Sequence, residues 1–184
     1  HVIAARELDV ANNEQFAIFS GRGKAAKARS VKVIRTDKEH DLALLEFDGP
    51  ALPAMKLAGA GWLREGTEVA FTGFPIGMIL GMYPVTHKGI VASITPIVIP
   101  AQSSRQLTAA QIRRLRNPLQ VYQLDAIAYP GNSGSPVYDA ASGQVIGVVN
   151  SVFVKGTKES ALENPTGISY AIPVQYVHQL LKNR

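Results

Sequence analysis

Asp125-Ala-Ile-Ala-Tyr-Pro-Gly-Asn-Ser-Gly-Ser-Pro136, followed shortly by the apolar run Val145-Ile-Gly-Val-Val-Asn150, is the most informative stretch of the chain. A serine flanked by glycines suits nucleophilic chemistry for physical reasons. A hydroxyl is a weak nucleophile and needs a base beside it, and the oxyanion that develops on its target needs preorganised N–H donors. A glycine at 131 lets the backbone turn so that the N–H groups of Gly131 and Ser133 converge on one point, and Gly134 leaves room for a substrate to approach. Gly-Asn-Ser-Gly is also good turn chemistry between two strands. Taken alone, the element supports both readings equally.

Working outward, the dominant pattern is short Val- and Ile-rich runs bounded by Gly, Pro, Asn or Ser. It predicts strands at Glu14–Ser20, Ser30–Arg35, Leu42–Phe47, Glu68–Gly73, Lys88–Thr95, Val121–Ala126, Pro136–Asp139, Val145–Phe153 and Ile168–Ile172. Many short strands without long intervening helices argue for a β-sandwich or a pair of barrels. Two helices are expected. Thr108-Ala-Ala-Gln111 has the spacing of a capping box and opens a short basic helix to about Arg116, which Asn117-Pro118 stops. Val174–Lys182 follows Pro173 and carries Val177, Leu180 and Leu181 at helical spacing. Gly49–Gly66, with two prolines and four glycines, reads as the linker between two halves.

Composition excludes several chemistries. The 184 residues contain no cysteine, which removes disulfides, thiolate zinc sites and cysteine nucleophiles together. His1, His40, His87 and His178 are scattered and form no metal-ligand pattern, so no metal or other cofactor is expected. The formal charge of +5 rests partly on a run of Arg22, Lys24, Lys27, Arg29, Lys32 and Arg35. No aromatic residues interleave with it for base stacking, so a solvated basic face is expected rather than a nucleic-acid partner. The uncharged stretch between Glu68 and His87 is broken by Pro75, Pro84 and three glycines, which favours strand, loop and strand over a membrane span.

With its flanks, the Gly131-Asn-Ser-Gly-Ser-Pro136 element resembles the nucleophile loop of trypsin-fold serine proteases, and most resembles the high-temperature-requirement (HtrA/Deg-type) branch. Four further elements match in order: His1-Val-Ile, Asp41-Leu-Ala-Leu-Leu, Gly73-Phe-Pro-Ile-Gly77 and Gly167-Ile-Ser-Tyr-Ala-Ile-Pro173. The resemblance implies an all-β fold of two antiparallel β-barrels, residues 1–52 and 68–172, joined by a linker at 53–67 and closed by a C-terminal helix at 173–184. It implies a serine endopeptidase with Ser133 as nucleophile, His1 as general base and Asp41 holding the imidazole, in the chain order of the chymotrypsin-type triad. The backbone N–H groups of Gly131 and Ser133 would form the oxyanion hole.

The floor of the specificity pocket falls by resemblance six residues before the serine, at Ile127, which implies preference for a small or medium apolar side chain. Ile127 also reads as a plain core residue. Asn150, Ser151 and Val152 would pair with the substrate backbone by strand addition. Asp41 follows Asp37 and Glu39, so a solvated acidic turn is its alternative, while its place before an apolar run suits a catalytic acid. His40, adjacent to Asp41, is expected to point to the opposite face and be exposed. His87 and His178 read as surface or boundary residues.

In the resembled fold about three strands precede the histidine. Either upstream residues complete the first barrel, or it lacks half its strands. Ser135 stands where the family has a second glycine, and the segment from Ile97 to Gln120 is long, proline-bearing and basic. The resemblance implies protein or peptide substrates in extracytoplasmic quality control, in a bacterial periplasm or envelope, and leaves room for a homo-oligomer and a regulatory domain outside this chain. The rival is a protease fold that binds extended peptides without turnover.

Overall fold

The computed structural model describes residues 2–4, 16–75, 81–97, 118–129, 131–150 and 168–182. His1, Ser151, Val152 and the helix expected from Thr108 lie outside them.

Four strands form one sheet: β1 (Val2–Ala4), β2 (Phe16–Ser20), β3 (Lys27–Asp37) and β4 (Leu42–Phe47), in the order β1-β4-β3-β2. Every neighbouring pair is antiparallel. From Arg29 onward the odd-numbered residues of β3 turn inward, and Val31 packs with Ala43 and Leu45 over Phe16, Ile18, Val33 and Phe47. That alternation explains part of the basic run. Arg29 turns in to donate from Nη1 to the carbonyl of Pro50 at 3.0 Å, and Arg35 from Nη1 to the carbonyl of Leu180 at 2.7 Å, while Lys27 and Lys32 face solvent.

The other six strands close into a barrel: β5 (Glu68–Gly73), β6 (Val85–Ile97), β7 (Leu119–Asp125), β8 (Pro136–Asp139), β9 (Val145–Val149) and β10 (Ile168–Pro173), in the order β10-β7-β6-β5-β8-β9. Its interior holds Val69, Phe71, Val91, Tyr122, Leu124, Val137, Ile146 and Val149, none more than 2% exposed. The two-lobed all-β reading therefore stands, with a difference between the lobes. The second closes, whereas the first is an open four-stranded sheet among the described residues.

The segment expected to be a linker is docked rather than free. Leu57 bridges to Val145, and backbone bonds run from Ala58 N–H to the Val145 carbonyl and from Val145 N–H to the Lys56 carbonyl, both 2.8 Å. Strands β3 and β6 run longer than the patterning predicts at both ends, and each carries a β-bulge, at Val33/Arg35 and Val91/Ser93, within the predicted span.

Helix α1 (Val174–Lys182) buries Val174, Val177 and Leu180. With Leu42 of β4, Val148 of β9 and Ile172 of β10 they form an apolar cluster that joins sheet, barrel and helix. No helix of the described residues is long and apolar enough to cross a membrane.

Candidate active site

The shared cluster positions the site. Asp41 immediately precedes Leu42 and Asn150 immediately follows Val149, so packing β4 and β9 into one cluster carries these two polar residues to the seam between the lobes.

Asp41 ends the β3–β4 turn with φ of 56°, a left-handed conformation that aspartate tolerates better than most residues. Asp37 shapes the turn: its Oδ1 accepts from the N–H groups of Glu39 and His40, both at 3.0 Å, and its Oδ2 lies 2.6 Å from His40 Nδ1. His40 stacks on Tyr176 at 4.0 Å between ring centroids and is half-buried, not exposed as alternation predicts. The two-residue strand rule fails because both residues lie in the turn.

Asp41 is 2% exposed, which removes the solvated-turn alternative. Its Oδ2 accepts a hydrogen bond from Nδ2 of Asn150 at 2.7 Å. A buried carboxylate is tolerable only with such charge-assisted partners. Asn150 is completely buried, and its side chain faces Asp41. Patterning overlooks this role, although a lone amide directly after an apolar strand is its signal.

The loop that carries Ser133 is tied to the same strand end. Gly134 N–H donates to the Val149 carbonyl, and Val149 N–H donates to the Ser135 carbonyl, both at 2.9 Å. Within the loop, Asn132 N–H reaches the Tyr129 carbonyl and Ser135 N–H reaches the Asn132 carbonyl, both at 3.0 Å. Gly131 at φ 95° takes a conformation that a side chain would strain, so the turn reading and the nucleophile reading require the same glycine. Ser133 is half-buried, while Asn132 and Ser135 are buried. Gly73 of β5 makes room for both, since a Cβ there would collide with Ser135 Oγ and Asn132 Oδ1.

Ile127 is 37% exposed and therefore not a plain core residue. Its backbone is clamped from both sides by buried Ser169, whose Oγ donates to the Ala126 carbonyl at 2.6 Å and accepts from Ala128 N–H at 2.8 Å. His178 bonds through Nε2 to the Ala58 carbonyl at 2.8 Å, securing α1 to the joining segment. His87, half-buried, stacks on Phe71 at 4.9 Å. Among the described residues no group of three or more His, Asp or Glu side chains could hold a metal ion.

A profile of the trypsin-like peptidase domain matches residues 1–148. A probable periplasmic serine endoprotease DegP-like of Pseudomonas savastanoi pv. phaseolicola (strain 1448A / Race 6) is 34% identical over 145 residues, covering 78% of this chain and 24% of its own length. Serine protease Do-like HtrB of Bacillus subtilis (strain 168) is 30% identical over 181 residues, 96% of this chain and 34% of its own. The chain spans about a quarter of the length of the first of these relatives. Among solved structures, the HtrA-type protease AlgW with tripeptide superposes with a TM-score of 0.68 at 24% identity, covering 98% of this chain and 50% of that one. That likeness is one of fold.

Proposed function

The chain belongs to the trypsin-like peptidase domain family, and on that premise we propose that it is a serine endopeptidase that hydrolyses peptide bonds through an acyl-enzyme on Ser133. One observation carries the reading: the end of β9 bonds both partners of the chemistry at once. Val149 holds the Ser133 loop by two backbone hydrogen bonds, and the next residue, Asn150, holds buried Asp41.

In the proposed mechanism His1 accepts the Ser133 proton during attack on a peptide carbonyl and returns it to the leaving amine. Asp41 fixes the imidazole tautomer and stabilises its cation. The N–H groups of Gly131 and Ser133 receive the oxyanion, where preorganised donors in a water-poor site stabilise developing charge most. Water then releases the acyl group by the same steps.

Ile127, solvent-accessible on a clamped backbone, would floor a pocket for a small or medium apolar side chain. Ser151 and Val152, continuing from β9, would pair with an extended substrate. Unfolded or misfolded proteins supply such extended segments. The names of its curated relatives support an extracytoplasmic setting.

The test is labelling by a fluorophosphonate probe, mapped by mass spectrometry and compared with Ser133→Ala. Labelling of Ser133 that disappears in the variant is expected, together with faster cleavage after Val than after Arg in peptide libraries. Folded protein that binds extended peptides yet never labels would replace the proposal with a non-catalytic binding module.

A further inference from the structure

Asn132, the residue before Ser133, carries a primary amide into a completely buried position. Burying an amide is unfavourable unless its groups find partners. Its Nδ2 lies 3.4 Å from Nε2 of His87, while its Oδ1 has no hydrogen-bond partner. The amide cannot swing away toward β5, because it already packs against the bare backbone of Gly73.

His87 is itself held firmly. It pairs in register with Phe71 across β5 and β6, stacks on that ring, and lies 5.8 Å from the ring of Tyr129, the residue that enters the nucleophile loop. Phe71, Tyr129 and Asn132 thus face the imidazole, and among these only the Tyr129 phenol can titrate. The neighbouring charges, Lys88 and Glu68, pair with each other at 3.0 Å on the other face of the strands.

We propose that His87 is a positioning residue for Ser133, orienting the nucleophile loop through the buried amide of Asn132. The inference rests on the serine-endopeptidase reading above. Nδ2 of an amide only donates, so Nε2 of His87 must accept, which requires a neutral ring with its proton on Nδ1. Burial pushes the His87 pKa below its ordinary 6.5, favouring that neutral form. On protonation, Nε2–H would confront the amide N–H group. The amide would then have to turn over and present Oδ1, altering the residue to which both ends of the serine turn are bonded.

The first readout is independent of catalysis: ¹⁵N spectra of histidine-labelled full chain, with His87 assigned by His87→Gln. The Nδ1–H tautomer is expected at pH 7.5, with a titration midpoint below 6.5. An Nε2–H tautomer overturns the proposal. The second readout is kinetic. His87→Phe keeps the stack and removes the acceptor, and His87→Gln keeps an acceptor.

A nucleophile misplaced by a fraction of an ångström should lower kcat about tenfold in His87→Phe, with KM within about twofold and most of the loss restored in His87→Gln. Folded His87→Phe that labels at Ser133 as fast as the parent overturns the proposal. If His87→Phe does not fold, Asn132→Asp decides, because an acid there should raise the His87 midpoint above 6.5 and an unchanged midpoint refutes the contact. Parent protein that never labels defeats the peptidase reading, while the tautomer still reports on the contact.

Discussion

Asn150 offers the sharpest test of how the site is held. The Asn150→Ala change removes the 2.7 Å donor from Asp41, which is 2% exposed in the parent. Losing a hydrogen bond to a charged group costs about 1.5–3 kcal/mol of stability. For a domain of this size, that is roughly 4–10 °C in melting temperature. Asn150→Asp asks more of the same geometry. Two ionised carboxylates 2.7 Å apart would repel by about 6 kcal/mol at an effective dielectric constant near 20. Retaining one shared proton up to pH 7 costs less, about 4 kcal/mol at about 1.4 kcal/mol per unit.

The folded pair then binds a proton that the unfolded chain has released. A pKa raised in the folded state contributes stability at low pH that is lost as pH rises. The Asp variant should therefore approach the parent near pH 4 and lose about 1.4 kcal/mol per pH unit between about 5 and 7. Thermal melts of parent, Ala and Asp forms across pH 4–8, followed by circular dichroism, supply the measurement. An Ala form melting within about 1 °C of the parent, or an Asp form whose deficit does not change with pH, would refute the proposed pairing.

Two further predictions follow from the same seam. Asp41→Asn keeps a residue that accepts positive φ, so the fold should persist while kcat falls by about 10⁴-fold; comparable losses in melting temperature and kcat would mean that Asp41 is structural. Gly73→Ala should cost about 1–3 kcal/mol and slow probe labelling of Ser133, because the added methyl displaces Asn132 and Ser135; parent-like melting and labelling would contradict the close packing.

Local chemistry made much of this legible. Leu42–Phe47, Glu68–Gly73 and Pro136–Asp139 emerge at their predicted bounds because each is a short apolar run stopped by turn residues, and Val174–Lys182 because its apolar residues recur at helical spacing. The extra length of β3 and β6 was not legible, since Lys27–Arg29 and Val85–His87 join their strands through pairing with β2 and β5. Nor was β1, whose three residues acquire strand character from pairing with β4. At the candidate site, Ser133 and Asp41 were proposed from motif context, whereas the inward turn of Asn150 and the seating of His87 against Asn132 depend on contacts 109 and 45 residues apart in the chain. No local pattern encodes such distances.

The relative size of two effects explains why Asp41 and Asn150 lie where the lobes meet. The hydrogen bond between Asn150 and Asp41 is one interaction of about 1.5–3 kcal/mol. The cluster beside it buries Leu42, Val148, Ile172, Val174, Val177 and Leu180, all no more than 5% exposed, and each such side chain contributes about 1.5–3 kcal/mol. Apolar packing therefore dominates the docking of sheet, barrel and helix. It is non-directional, however, and tolerates small slips that would misalign an acid with its donor. The polar pair adds direction: a buried carboxylate that slides off Asn150 loses a charge-assisted hydrogen bond without regaining water, which disfavours slipped alignments of Asp41 against Asn150. Because the Ser133 loop hangs from Val149 on that same strand end, selecting the alignment also sets where Ser133 stands relative to Asp41.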